Sequence, residues 1–251
     1  MTISRALKEI RAVTPRDTIV VTGASRGIGR KLSEYFSAHG NTVLALARDG
    51  DALAKLAKSA RAEGHGRNAV VAYPCDLSDP ASVEAAVARI RHAHGRVDVL
   101  INNAADVTSK PFEGTTPAEI DSLIRTNIIG PLQLIRGLMP ELRNSDAPVI
   151  VNVSSLAGYK PDPSQTVYSI SKAAVNAMSR ALDADLRGIR VLNAALPTIA
   201  LQDGHRGVPV LSYARRLERA IERGESELFL SSFTKWLMRL YVFYPPLMRL
   251  R

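Results

Sequence analysis

The chain is expected to fold as one doubly wound α/β domain, with a mostly parallel seven-stranded sheet and helices on both faces. Three observations carry that expectation. Short β-branched, apolar runs alternate with longer amphipathic ones as far as Pro197, the pattern of parallel strands joined by helical crossovers. A glycine-rich turn, TGASRGIG at 22–29, joins the first strand-like run to the first helix-like one. A length of 251 residues suits a single large core better than two small ones. Hydrophobic residues at 46% and charged ones at 23% fit a soluble globular protein, and no low-complexity tract or internal repeat is visible.

Thr18 to Thr22 (TIVVT) is short and apolar, as a strand buried on both sides should be. A helix follows from about Ile28 to His39 and stops at Gly40. Thr42 to Ala47 reads as the second strand, Asp51 to Glu63 as a helix ended by Gly64, and Asn68 to Tyr73 as the third strand. Asp79-Pro80 opens the next helix, with an aspartate at the N-cap and a proline in the first turn. Val97 to Ile101 gives strand four, Pro117 to about Leu142 one long helix, Val149 to Val153 strand five, Gln165 to Leu186 a helix and Ile189 to Ala194 strand six. After Pro197 the alternation lapses. Tyr213 to Glu222 and Ser231 to Phe243 read as helices, with Glu227 to Leu230 as a last strand between them.

Charge and cysteine content narrow the function. The net charge of +9 suggests nucleic acid until it is mapped: four bases and no acid fall within Leu228 to Arg251, and four bases against Glu9 within Met1 to Arg16. A terminal excess without a recognition motif is not expected to bind nucleic acid, but it attracts anionic lipid heads or acidic ligands. The single cysteine, Cys75, reads as a small buried hydrophobe and excludes an internal disulfide, which fits a reducing cytoplasmic setting. His39, His65, His92, His94 and His205 are scattered, so no metal is expected. MTISRALKEIRAV has no long apolar stretch, so no secretory signal is expected there.

Gly23, Gly27 and Gly29 lie between a strand and a helix, where missing side chains let a backbone approach a pyrophosphate and the helix N-terminus offers free N–H groups. Further on, Ser155, Tyr168 and Lys172 stand in the order Ser-x12-Tyr-x3-Lys. The four-residue step from Tyr168 to Lys172 puts both on one helix face, where an ammonium favours a phenolate. An unperturbed tyrosine titrates near a pH of about 10, so such a neighbour is a means of tuning it for proton transfer.

TGASRGIG at 22–29, NNAA at 102–105, Asn127, VSSLAG at 153–158 and YSISK at 168–172 together resemble the short-chain dehydrogenase/reductase family, over about residues 17 to 197. The resemblance implies a Rossmann fold and hydride transfer between a nicotinamide and a carbonyl or alcohol. It implies that Tyr168 is the acid or base, that Lys172 lowers its pKa and bonds the nicotinamide ribose, that Ser155 binds the substrate oxygen, and that Asn127 holds a water. It places Gly23, Ser25, Arg26, Gly27, Ile28, Gly29, Asp76, Leu77, Asn103, Ala104, Pro197 and Ile199 around the dinucleotide, with Asp76-Leu77 at the adenine. Asp76 reads equally well as an ordinary turn aspartate. Asn102 and Asn103 can also tie neighbouring strands together. NAD-preferring relatives carry an acid where Ala47 stands, and Arg48 and Arg26 suit a 2′-phosphate, so NADP(H) is expected over NAD(H). LPTIALQ departs from the family, with Thr198 in place of a glycine and Gln202 in place of a threonine. Relatives associate as homodimers or homotetramers through the helices that hold Asn127 and Tyr168.

Phe229, Phe233, Trp236, Leu237, Leu240, Tyr241 and Tyr244 recur at three- and four-residue steps, with Ser231, Ser232, Lys235 and Arg239 interposed. Lys235 and Arg239 interrupt the apolar run, so the segment is not expected to span a bilayer. Three readings stay open: a cover over the pocket or core, an oligomer contact, and an interfacial membrane anchor. A hydrophobic carbonyl substrate suits the first and third. A binding protein that has lost turnover is the alternative to an enzyme, and the intact Ser155, Tyr168 and Lys172 speak against it.

Overall fold

The computed structural model describes residues 17–66, 69–197, 199–200 and 207–244. Seven strands form one sheet: β1 Thr18–Thr22, β2 Thr42–Ala47, β3 Val70–Pro74, β4 Val99–Asn102, β5 Val149–Ser155, β6 Arg190–Leu196 and, later in the chain, β9 Glu227–Leu228. Their spatial order is β3-β2-β1-β4-β5-β6-β9, and every pairing is parallel. The order reverses between β1 and β4, which opens a crevice at the carboxyl ends of these two strands. The helices are α1 Gly27–Ala38, α2 Gly50–Ala62, α3 Pro80–Ala93, α4 Pro117–Ile124, α5 Gly130–Gly137, α6 Met139–Arg143, α7 Thr166–Asp185, α8 Val210–Glu222 and α9 Ser232–Phe243.

The strands are mostly apolar because both sheet faces are covered, and alternate residues feed different cores. Ile19, Val21, Val43 and Ala45 pack with Leu32 and Phe36 of α1, Leu53 of α2 and Tyr213 and Leu217 of α8. Val20, Leu44, Leu46 and Ile150 point the other way, into Val83 and Ile90 of α3 and Leu134 of α5. Cys75 is buried in this second core, and burial pushes its thiol up to about 11, so it behaves as the small hydrophobe the composition suggests. Truncating one of the buried leucines or isoleucines among these to alanine costs about 2–5 kcal/mol.

Local chemistry sets the helix starts. Asp49 caps α2 by accepting from the Ala52 N–H at 2.9 Å, and Asp79 caps α3 through Ala81 at 3.0 Å, with Pro80 following as expected. Thr116 and Glu119 form a reciprocal capping box at α4. At the amino end of the sheet the buried Asp98 accepts from the Thr18 N–H at 2.9 Å and from the Ser145 hydroxyl at 2.6 Å, tying β1, β4 and the segment before β5 together.

Several expectations need correction. The single long helix over Pro117 to Leu142 is three: α4 passes through a π turn at Arg125–Ile129 into α5, and the path breaks again at Leu138 before α6. Pro131 and Pro140 each lack the N–H that a continuous helix would use. Strand β5 runs two residues further than expected and β6 runs to Leu196, so Ser154 and Ser155 belong to β5. Asn102 is the last residue of β4 rather than following it. The described part of the third strand begins at Val70, and the expected start at Asn68 lies outside the described residues. The last strand stops at Leu228, α8 begins three residues earlier than expected at Val210, and an unexpected two-stranded pairing joins β7 Ile199–Ala200 to β8 Val208–Pro209. Thr198 and Gln202 lie outside the described residues.

Candidate functional site

The crevice is built first by a staple between β1 and the segment after β4. Thr22 ends β1, and its Oγ1 accepts from the N–H groups of Asn103 and Ala104, both at 2.9 Å, while Asn103 Nδ2 donates to the Thr22 carbonyl at 2.9 Å. One strand further, Asn102 Nδ2 donates to Asn152 Oδ1 at 2.9 Å, binding β4 to β5. The strand-tying expected of both carboxamides is thus present. The glycine turn lies directly over the Thr22 staple. Gly23 has φ +69°, and a Cβ on Gly29 would sit 2.3 Å from the Gly23 carbonyl oxygen, so neither position admits a side chain.

This turn delivers the start of α1 to the crevice with its N–H groups uncovered. Arg26 occupies the N-cap without a side-chain cap bond, and the first turn holds no acid. Uncapped donors and a positive dipole end suit a pyrophosphate, so the residues present fit a dinucleotide. Ser25 and Ile28 are half-buried and Arg26 is exposed. Arg48, just past the buried Ala47, is exposed too, while the Asp49 carboxylate is engaged at the N-terminus of α2. Ala104 lies against Gly23, whose added Cβ would approach its Cα to 2.9 Å.

Asp76 forms an Asx turn, with Oδ1 accepting from the Ser78 N–H at 2.9 Å and the Ser78 hydroxyl at 2.7 Å. The turn reading of this residue is therefore present in the geometry, and its N–H donates to Ser82 at 2.9 Å. Leu77 is buried, and its carbonyl oxygen would lie 2.2 Å from a Cβ on Gly130, so α5 approaches through a glycine. Pro197 follows β6 and is half-buried, and Ile199 packs on the core from β7.

Ser155, Tyr168, Lys172 and Asn127 converge at the carboxyl end of β5. Ser155 is the last residue of that strand, and its Oγ accepts from the Ala157 N–H at 3.2 Å. Tyr168 lies in the first turn of α7, and the Ser155 side chain acts to lower the pKa of its hydroxyl. Lys172 is buried one turn on, with Nζ donating to the Val153 carbonyl at 2.8 Å and 5.6 Å from the centroid of the Tyr168 ring. Gly158 lets the turn after β5 meet α7, since its Cβ would lie 2.6 Å from the Lys172 carbonyl carbon.

The electrostatics depart from expectation. Burial raises the Tyr168 hydroxyl above its ordinary value, opposed by the Ser155 side chain. The net direction is upward, not the lowering anticipated from Lys172, whose ammonium bonds the β5 backbone instead. Burial in turn brings Lys172 down to about 8.

Asn127 sits buried in the π turn, its Oδ1 accepting from the Asp106 N–H at 2.7 Å and its Nδ2 donating to the Asp106 carbonyl and to Ser171 Oγ, each at 3.0 Å. Pro131, four residues on, has no N–H to return to the Asn127 carbonyl, which therefore lacks its ordinary α-helical partner.

Sequence reasoning missed the buried network behind these residues. Ser154 donates to Asn176 Oδ1 at 2.6 Å, Asn193 Nδ2 donates to the same oxygen at 2.9 Å, and Asn193 also reaches the Tyr159 hydroxyl at 3.0 Å. Asn176 stands four residues after Lys172, and that helical step was the available signal. Asp106 carried no sequence signal, and Thr22 carried only that of the end of the first strand and the start of the glycine-rich turn. Among the described residues no group of three or more His, Cys, Asp or Glu could hold a metal.

A parallel sheet with a glycine turn at its switch point, and with Ser155, Tyr168 and Lys172 gathered one strand away, defines a Rossmann-type α/β protein. The chain belongs to the short-chain dehydrogenase family, an oxidoreductase family whose model matches residues 17–203. It is 34% identical over 238 residues to the oxidoreductase UcpA of Salmonella typhimurium, covering 86% of this chain and 87% of that one. It is 33% identical over 210 residues to a fatty acyl-CoA reductase of Mycobacterium tuberculosis, covering 80% and 70% respectively. A short-chain dehydrogenase from Streptomyces avermitilis superposes with TM-score 0.81 at 25% identity, over 92% of this chain and 94% of the other. A metagenomic short-chain oxidoreductase solved in complex with NADP superposes with TM-score 0.75 at 30% identity, over 85% and 96%.

Proposed function

We propose that the protein is an NADP(H)-dependent oxidoreductase that interconverts a hydrophobic ketone and its secondary alcohol. The observation that carries this reading is the gathering of Ser155 at the end of β5, Tyr168 in the first turn of α7 and the buried Lys172 one helical turn on, with the serine side chain acting to lower the pKa of the phenol. When bound, the nicotinamide supplies or accepts the hydride. Tyr168 gives its proton to the substrate oxygen in reduction and takes it back in oxidation. Ser155 donates to the same oxygen and stabilises the charge that grows there. Lys172 holds a positive charge beneath the tyrosine, and Asn127, through its released carbonyl, positions a water that connects Lys172 to solvent.

Exposed Arg26 and Arg48, with an alanine at the end of β2 and Asp49 turned into a helix cap, favour a 2′-phosphate over a bare ribose. The NADP complex of the metagenomic relative and the NADPH complex of a Sphingobium yanoikuyae relative support the same choice. An apolar substrate fits the flank of the site, where Leu156, Tyr159, Phe229 and Met238 form a small apolar cluster just past Ser155. The fatty acyl-CoA reductase among the relatives agrees with that polarity.

The test is NADPH consumption with a panel of medium- and long-chain ketones, run beside Tyr168→Phe. The variant keeps the ring and loses the proton, so turnover should fall by roughly 10²–10⁴-fold while NADPH binding stays. Equal turnover in parent and variant would remove the reading.

A further inference from the structure

Helix α9 presents two faces with opposite fates. Met238 is buried, and Leu237 and Tyr241 pack with it against Leu156, Tyr159 and Phe229, so this side closes the flank of the site. Lys160 lies over the Tyr241 ring at 5.2 Å, and Arg239 and Lys235 reach Glu227 at 2.7 and 3.8 Å, which fixes the helix in place. The opposite ridge follows the 233, 236, 240, 243 spacing: Leu240 is half-buried, while Phe233 is 69% exposed, Trp236 60% and Phe243 82%, with Val242 and Tyr244 exposed beside them. The rings of Phe233 and Trp236 stack at 6.4 Å. The apolar stripe expected to face one way is therefore split, and its most aromatic part has no partner among the described residues.

Charge selects the occupant. From Leu228 to Arg251 the sequence holds Lys235, Arg239, Arg249 and Arg251 and no acid, and Glu227, which Lys235 and Arg239 share, offsets only one of the two. Arg216 of α8 joins them by donating to the Leu230 carbonyl at the start of α9. Aromatic rings projecting from a helix flanked by bases are the composition that inserts at the headgroup level of an anionic bilayer, and no described helix is long and apolar enough to cross one.

We infer that the exposed ridge of α9 docks the protein on anionic lipid surfaces, with Phe233, Trp236 and Phe243 inserted and the surrounding bases on the headgroups. Docking by this ridge leaves the Leu156–Tyr159 flank of the site close to the bilayer, where apolar substrates partition. The inference rests on α9 alone and stands whether or not the catalytic reading holds.

Trp236 is the one tryptophan of the chain and reports directly. The full-length protein is titrated with vesicles of phosphatidylglycerol and phosphatidylcholine, and separately of phosphatidylcholine alone, following tryptophan emission and co-sedimentation. A blue shift with the anionic vesicles is expected, with partitioning roughly tenfold or more above that to the neutral ones. Phe233→Ser combined with Phe243→Ser changes two exposed side chains, so the fold persists by circular dichroism while partitioning falls about tenfold or more. Unshifted emission, equal affinity for both vesicle types, or unaltered binding by the double variant would overturn the inference. Sedimentation equilibrium showing a dimer that the same double variant dissolves, without vesicle binding, would assign the ridge to a second copy of the chain and overturn it as well.

Discussion

Ser155, the last residue of β5, acts to lower the pKa of the Tyr168 hydroxyl in the first turn of α7, against the burial that raises it. The pair exists because Gly158 lets the turn after β5 pass against the α7 backbone at Lys172. Within it the serine is the counterweight to burial, and the acidity of the phenol depends on it.

Ser155→Ala removes that counterweight. The substrate oxygen loses one donor, so kcat should fall by roughly 10²–10³-fold. The pH at which reductive activity is lost on titrating Tyr168 should also move upward, since the remaining influence on the phenol is burial. A pH profile of kcat/KM for parent and variant measures this, and an unmoved or acid-shifted limb would contradict it.

Lys172 has a sign of its own in stability. Burial brings its folded pKa to about 8 from an unfolded value of 10.5. Between those two pH values the unfolded chain binds a proton that the folded chain has shed, so this residue makes stability rise with pH across the window. The full effect is on the order of 3 kcal/mol. Lys172→Met should abolish that part of the rise while removing activity. Thermal unfolding of both proteins from pH 7.5 to pH 10.5 compares the slopes, and identical slopes would count against the buried ammonium.

The two exposed arginines set cofactor choice in the proposed function. Arg26→Ala with Arg48→Ala should raise KM for NADPH about 10–100-fold, the worth of one or two charge-assisted bonds, and leave KM for NADH nearly unchanged. Parallel losses for both cofactors would show that these side chains do not read the 2′-phosphate.

Gly130→Ala tests the seating of the π turn. The added Cβ would meet the Leu77 carbonyl oxygen at 2.2 Å, a backbone atom that moves only with its turn. Overpacking of this kind costs about 1–3 kcal/mol, or a Tm drop of roughly 2–12 °C for a domain of this size. Differential scanning calorimetry reads the drop, and an unchanged Tm would mean that α5 slides freely on Leu77.

Strand and helix order were legible in the sequence because periodicity and punctuation are local. TIVVT could only bury both faces, Asp79-Pro80 could only start a helix, and the glycines at 23 and 29 marked a turn with no room for side chains. The candidate site was legible as a list of residue types at fixed spacing, which named Ser155, Tyr168 and Lys172 in advance of any coordinates. The breaks in the helix after Pro117 were written in Pro131 and Pro140, yet the overall apolar pattern masked them.

Element order and the residue types of the candidate site were thus determined by sequence, since propensity, capping and backbone permissiveness act over a few residues. Tertiary structure decided the rest. Whether Lys172 would face the phenol or the Val153 carbonyl, whether Asp49 would face the cofactor crevice or cap α2, and which ridge of α9 would be buried all depend on packing between residues far apart in the chain. Desolvation is the physical reason: it depends on everything that surrounds a group, and at Tyr168 and Lys172 it outweighed the single neighbour that spacing could identify.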